Sequence, residues 1–192
     1  MATTDYAETN RGTEGAGPVT VFLDLDTVLL ATHAGRYGPE LAIQSDIPEA
    51  LARLWEVADH LVVLVDPPSP DAGRVMDTAH RIEVLRTGLG DTANRLLIVS
   101  CPHGEDGSCD CAKPGSGLIH LALREQGLSG RGGWYIGADH EGVVAGRGAG
   151  LQTIRIGPAG EDHLSSVRRP DHEARDLMDA ANRILMEDLA AP

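Results

Sequence analysis

The residues best equipped for chemistry crowd into one stretch, CPHGEDGSCDCAK, which holds all three cysteines of the chain. Cys101, His103, Cys109 and Cys111 form a Cys-x-His…Cys-x-Cys set, and Cys₃His is a closed tetrahedral shell for structural zinc. Gly104, Gly107 and Ser108 let the loop between the two halves fold back on itself. The competing readings are a cysteine-rich turn without metal and a disulfide. Three thiols cannot all pair, and nothing else in the chain points to an oxidising compartment, so zinc is the expectation. Asp24 and Asp26 are a second set, one residue apart after an apolar run. Where a chain leaves a strand, such a pair can supply a nucleophile and a general acid/base beside a hard cation such as Mg²⁺. Taken alone, an Asp-x-Asp pair is just as well a solvated turn. The third feature is Lys113, two residues beyond the last cysteine.

These groups need elements to position them. Val19 to Leu23, His60 to Val65, Leu96 to Ser100, Trp134 to Gly137 and Gln152 to Ile156 are short apolar runs of the kind that form buried parallel strands. The first ends at Asp24 and the third runs into the cysteine loop. Helical spacing begins at Pro48 (Ala50, Leu51, Leu54, Trp55, Ala58), with Asp46 as N-cap. It recurs at Val75, Ala79, Ile82 and Leu85, where Thr87-Gly88 reads as the stop, and over Gly117 to Gln126 with Gly127 as C-cap. A short helix is expected over Val143 to Gly148, closed by Gly150, and a terminal helix over Asp171 to Leu189. Ala31 to Ser45 shows no period and reads as a loop. Strands alternating with helices imply a Rossmann-like α/β fold, a doubly wound parallel sheet, whose ligands sit at the carboxyl ends of the strands. Met1 to Pro18 is polar and Gly-rich and reads as a disordered tail, leaving 19–192 as one domain with no room for a large cap.

Composition removes several classes of function. Aromatic residues are only 3%, so Val, Leu, Ile and Ala must build the core. A formal charge of −13 leaves no basic face for nucleic acid or for an anionic membrane. The N-terminus has neither the basic nor the apolar segment of a secretory signal, and no run reaches membrane-spanning length. With its thiols committed to a metal loop, the protein is expected in the cytoplasm. The Gly146-Arg147-Gly148-Ala149-Gly150 run does not follow a strand, so it reads as a helix end and not as a dinucleotide loop.

Three segments carry a family resemblance. FLDLDTVL at Phe22–Leu29 resembles the first motif of the haloacid dehalogenase superfamily, CDCAKP at Cys109–Pro114 its third, and Tyr135–Gly150 its fourth. The Cys/His loop just ahead of the lysine is similar to that of the capless histidinol-phosphate and heptose-bisphosphate phosphatase branch. The resemblance implies that Asp24 is the nucleophile that forms an aspartyl-phosphate, Asp26 the acid/base and Lys113 the cation that neutralises phosphate. It further implies Mg²⁺ held by Asp24, the Asp26 carbonyl and an acid of the fourth motif, for which Asp139 is the candidate. The substrate implied is a small phosphorylated metabolite such as a sugar phosphate.

Elsewhere the chain departs from that pattern. The second motif should end in a hydroxyl residue, and Val65 stands there, followed by Asp66 and two prolines. The fourth motif should carry acids where Ala138 and Gly142 stand, with Asp139 and Glu141 off register. Ala112 replaces an arginine before the lysine. Two expectations therefore stand: a Mg²⁺-dependent phosphatase, or a binding or scaffolding protein of phosphatase fold with little turnover. Under the second, the Asp66-Pro67-Pro68 loop would face a protein partner.

Overall fold

The computed structural model describes residues 18–31, 41–66, 78–103, 109–158, 166 and 168–190. The tail read at Met1 to Pro18 lies, apart from Pro18, outside the described residues, as do Pro67, Pro68 and Val75.

Six parallel strands form one sheet in the order β5-β4-β1-β6-β7-β8. The strands are β1 (Thr20–Asp24), β4 (His60–Val65), β5 (Leu97–Ser100), β6 (Trp134–Gly137), β7 (Gln152–Ile156) and β8 (His172–Ala174). The first is wholly buried, which explains its unbroken apolar sequence: a strand covered on both faces has no polar alternation to show. Its residues still divide by parity. Val21 and Leu23 join the core under helices α1 (Ile47–Leu54), α2 (Thr78–Leu89) and α5 (Leu177–Ala190). Phe22 turns to the opposite core with Val62, Leu64 and Tyr135, under α3 (Gly117–Glu125) and α4 (His140–Gly148). Helices on both faces make the sheet doubly wound. Fully burying each such side chain is worth about 1.5–3 kcal/mol.

Four sequence expectations need correction. The segment from Ala31 to Ser45 is not all loop: β2 (Leu29–Ala31) and β3 (Leu41–Ile43) form an antiparallel hairpin in which Leu29 pairs with Ile43. Three-residue strands are too short to display a period. The second helix runs past Thr87-Gly88 to Leu89, because Gly88 serves a contact and not a stop. A Cβ there would lie 2.4 Å from Cγ1 of Ile43, so only glycine lets the hairpin approach α2. Helix α4 begins at His140, three residues before the apolar pattern, because the Asp139 side chain caps it. The terminal helix starts at Leu177 and not at Asp171; the polar residues His172–Ala174 pair with β7 as the edge strand β8. Asp46 occupies the N-cap position of α1 without a side-chain bond to it. Gly127, with φ +63°, closes α3 as expected.

Among the described residues no cap domain covers the carboxyl ends of the strands; β1 leads only into the small β2-β3 hairpin and then α1. No described helix is long and apolar enough to cross a membrane.

Candidate active site and metal loop

β1 ends at Asp24 and passes into a 3₁₀ turn, Leu25–Thr27, where the Thr27 hydroxyl donates to the Asp24 carbonyl at 2.6 Å. Asp24 shares the parity of Phe22 and lines a small pocket with Leu64, Asp66, Cys111, Lys113 and Tyr135. Only 2% of Asp24 is exposed. Burial, helped by the nearby Asp66 and Asp26 charges and opposed by Lys113, raises its pKa to about 6.

Lys113 is brought in from the turn that precedes α3. That turn is held by Gly115 N–H donating to the Ala112 carbonyl at 2.9 Å and by Gly117 N–H donating to the Asp110 carbonyl at 2.9 Å. The Lys113 ammonium donates to Asp24 and, at 2.8 Å each, meets Asp66 and Asp139. Burial acts against its charge, but Asp24 foremost, then Tyr135, Asp66 and Asp139, hold its pKa well above the ordinary lysine value. Burial likewise lifts Asp66, opposed by Lys113. Asp139 is 47% exposed and goes the other way. Burial resists its ionisation, yet Lys113 and the Gly142 and Glu141 N–H groups hold it below the usual range.

Asp24, Lys113 and Asp139 thus converge, while Asp26 does not join them through its side chain. Its carboxylate is 64% exposed and accepts from Arg81 of α2 at 2.6 Å. His140, beside the fourth motif, is turned to the Arg168 carbonyl at 3.3 Å. Asp24, Asp66 and Asp139 point oxygens at a single centre, the Lys113 nitrogen, and an all-oxygen set is what Mg²⁺ favours. The donor chemistry fits a hard cation that displaces the ammonium.

Two members of this site were not read from the sequence. Asp66, which the sequence reads as part of a partner-facing loop, is within the carboxylate ring around Lys113. Tyr135, which reads as strand core, is 2% exposed and also lines the pocket. It also accounts for Gly142. A Cβ at that position would stand 2.1 Å from the Tyr135 hydroxyl, so the phenol fills the space where the fourth motif's second acid would branch. The signal in the sequence was Gly142 itself, standing where the fourth motif should carry an acid.

The cysteine loop begins where β5 ends and packs on the α3–α4 core, with Cys111 buried. Among the described residues, the four ligand atoms of Cys101, His103, Cys109 and Cys111 all lie within 4.8 Å of one another. Cys101 Sγ is 3.5 Å from Cys109 Sγ and 3.4 Å from His103 Nδ1, and Cys111 Sγ is 3.6 Å from the same nitrogen. Tetrahedral zinc with ordinary bond lengths has S···S edges of about 3.8 Å and S···N edges of about 3.6 Å. The shell fits zinc. Without a cation, burial and the neighbouring Cys101 thiol push Cys111 up to about 12. A metal is what lets such a cluster ionise together.

No protein-family model matches the chain. It is 35% identical over 113 residues to a D-glycero-beta-D-manno-heptose-1,7-bisphosphate 7-phosphatase of Pseudomonas aeruginosa, a match covering 56% of this chain and 62% of that protein. A Pseudomonas putida protein of the same name is 32% identical over 59 residues, 34% of its length. The chain therefore spans less than two thirds of the curated relatives it matches. Among solved structures, a D,D-heptose 1,7-bisphosphate phosphatase from B. bronchiseptica, complexed with magnesium and phosphate, superposes with a TM-score of 0.68 at 23% identity. That match covers 88% of this chain and 99% of that one. A cobalt-bound deoxy-D-mannose-octulosonate 8-phosphate phosphatase from Haemophilus influenzae gives 0.56 at 16% identity, over 88% of each chain. Curated and structural neighbours point to heptose-bisphosphate phosphatase-like proteins of the haloacid dehalogenase superfamily, and the chain has that superfamily's fold.

Proposed function

We propose that the chain is a phosphatase of the haloacid dehalogenase type, hydrolysing a phosphorylated sugar through an aspartyl-phosphate on Asp24. The observation that carries this reading is the buried Asp24 carboxylate at the end of β1 bound to the Lys113 ammonium. One Asp24 oxygen attacks phosphorus as the bond to the sugar oxygen breaks, and Asp26, once its side chain has swung off Arg81 and taken up a proton, protonates that oxygen. Asp26 then takes a proton from the water that cleaves the acyl-phosphate, returning Asp24 and releasing inorganic phosphate. Lys113 spreads positive charge over the phosphoryl oxygens, the main requirement of phosphoryl transfer. Asp24 and Asp139 would hold Mg²⁺, which supplies the remaining charge neutralisation. Cys101, His103, Cys109 and Cys111 would hold zinc, which would brace the Lys113 turn against β5, and free thiols arranged for zinc suit the cytoplasm. The names of the relatives make heptose bisphosphates and related sugar phosphates the first substrates to test.

A second reading is favoured by Asp66. A third carboxylate on Lys113, with Val65 in place of a hydroxyl, leaves fewer donors for phosphate, as a weak or non-turnover binding protein would have.

The experiment is a phosphatase screen over sugar phosphates with Mg²⁺, with Asp24→Asn as control. Turnover that falls at least about 10³-fold in the variant supports the nucleophile. Saturable phosphate-ester binding without turnover selects the second reading, and activity that survives Asp24→Asn refutes the assignment.

A further inference from the structure

Tyr135 carries a hydroxyl that is buried and has no hydrogen-bond partner among the described residues. A buried hydroxyl left unpaired is costly, and native structures keep one where a ligand or water will meet it. Its surroundings are specific. The phenol projects from β6, the strand beside β1, over Gly137 and Gly142, and lines the same pocket as Asp24, Asp66 and Lys113. It is the one uncharged O–H donor in that lining. The pocket is about 10 Å³ while Lys113 is drawn onto Asp24 and Asp66, roughly the room of one water. An oxyanion that attracts the ammonium outward enlarges it.

On the opposite side of Asp24, β4 ends in Val65, buried and without a donor. The sheet order puts β4 and β6 on either side of β1. Loss of a hydroxyl on one flank of Asp24 is matched by a phenol on the other.

We propose that the Tyr135 hydroxyl donates a hydrogen bond to an oxygen of the phosphoryl group held at Asp24. Its burial and the surrounding carboxylates keep the phenol protonated, so it acts as donor and not as base. The inference rests on the phosphatase reading of the site, and it makes Tyr135 a ligand-contacting residue of that site. A side chain at position 142 is excluded because its Cβ would lie 2.1 Å from that hydroxyl.

The test compares wild type, Tyr135→Phe and Lys113→Met by calorimetry with inorganic phosphate in the presence of Mg²⁺, alongside kcat and KM on the best sugar phosphate. Tyr135→Phe is expected to weaken phosphate binding about 10-fold and lower kcat about 10²-fold, as loss of one oxyanion donor does. Its melting temperature should be unchanged or higher, since an unpaired buried hydroxyl is removed. Replacement by 4-aminophenylalanine, which restores a donor, should recover binding; this variant also decides the matter if the phenylalanine protein folds poorly. Phosphate binding and turnover equal to wild type in Tyr135→Phe overturns the inference while leaving the site reading intact. Wild-type protein that binds no phosphate, or Lys113→Met that binds it normally, overturns both.

Discussion

The Asp66 carboxylate lies 2.8 Å from the Lys113 ammonium, one residue beyond the buried Val65 that ends β4. On the proposed function, this places a negative charge beside the group that would receive phosphate. Like charges in a partly buried site oppose an incoming anion strongly. Asp66→Asn removes that charge and keeps the shape, so inorganic phosphate should bind about tenfold tighter. Calorimetry at fixed Mg²⁺ measures it; unchanged or weaker binding would mean that Asp66 serves the cation instead.

Asp24 should titrate near pH 6 in protein freed of divalent cations, because burial raises it. A folded-state pKa above the unfolded value means stability that is full below about pH 4 and lost as pH rises through about 6, worth on the order of 3 kcal/mol. Asp139, held below the usual range, acts with the opposite sign and loses its contribution as pH falls below about 4. Carboxyl carbon NMR of wild type against Asp24→Asn isolates the first titration. A midpoint near the ordinary value of about 4 would contradict the burial argument.

Freshly prepared protein should contain about one zinc per chain, and Cys109→Ser should lower both the melting temperature and phosphate affinity. The coupling follows from the chain: Cys111 is two residues from Lys113, and Ala112 N–H donates to the Cys109 carbonyl at 3.3 Å within the same turn. Elemental analysis and thermal melts decide it; zinc-free protein with a normal melt would remove the brace.

Restoring the fourth motif's acid is expected to fail by itself. In Gly142→Asp the new Cβ meets the Tyr135 hydroxyl at 2.1 Å, which overpacking makes destabilising by about 1–3 kcal/mol. Adding Tyr135→Leu frees that space, so the double variant should be more stable than the sum of the two single effects. A double-mutant cycle by denaturant unfolding measures this coupling, and strict additivity would show that the two positions do not meet.

The central sheet was legible because β1, β4 and β6 are buried on both faces and so are written as unbroken apolar runs. The peripheral strands were not. β8 is His-Glu-Ala at an edge, and β3 is three partly buried residues, neither long enough to carry a pattern. In the site, Asp24 and Lys113 stood out through residue type and neighbours. Asp66 and Tyr135 did not, for different reasons. Asp66 sits in a proline-rich stretch after Val65, and its approach to Lys113 depends on strand order, which local sequence does not encode. Tyr135 reads as core because it is a member of the buried cluster under α3 and α4, and it lines the pocket as well. Gly142 recorded that contact, but as a missing side chain and not as a present one.

The ammonium of Lys113, shared among three carboxylates, is an internal counter-ion standing where an outside one could stand. On the proposed function, a divalent cation that takes the Asp24 and Asp139 oxygens would loosen Lys113, whose charge would then be free for an anion. Reciprocally, an anion that draws Lys113 away uncovers the oxygens. On that reading, cation and phosphate ester assist each other's binding by the same factor, whichever arrives first. Such a resting state would be reserved toward either one alone and receptive to the pair.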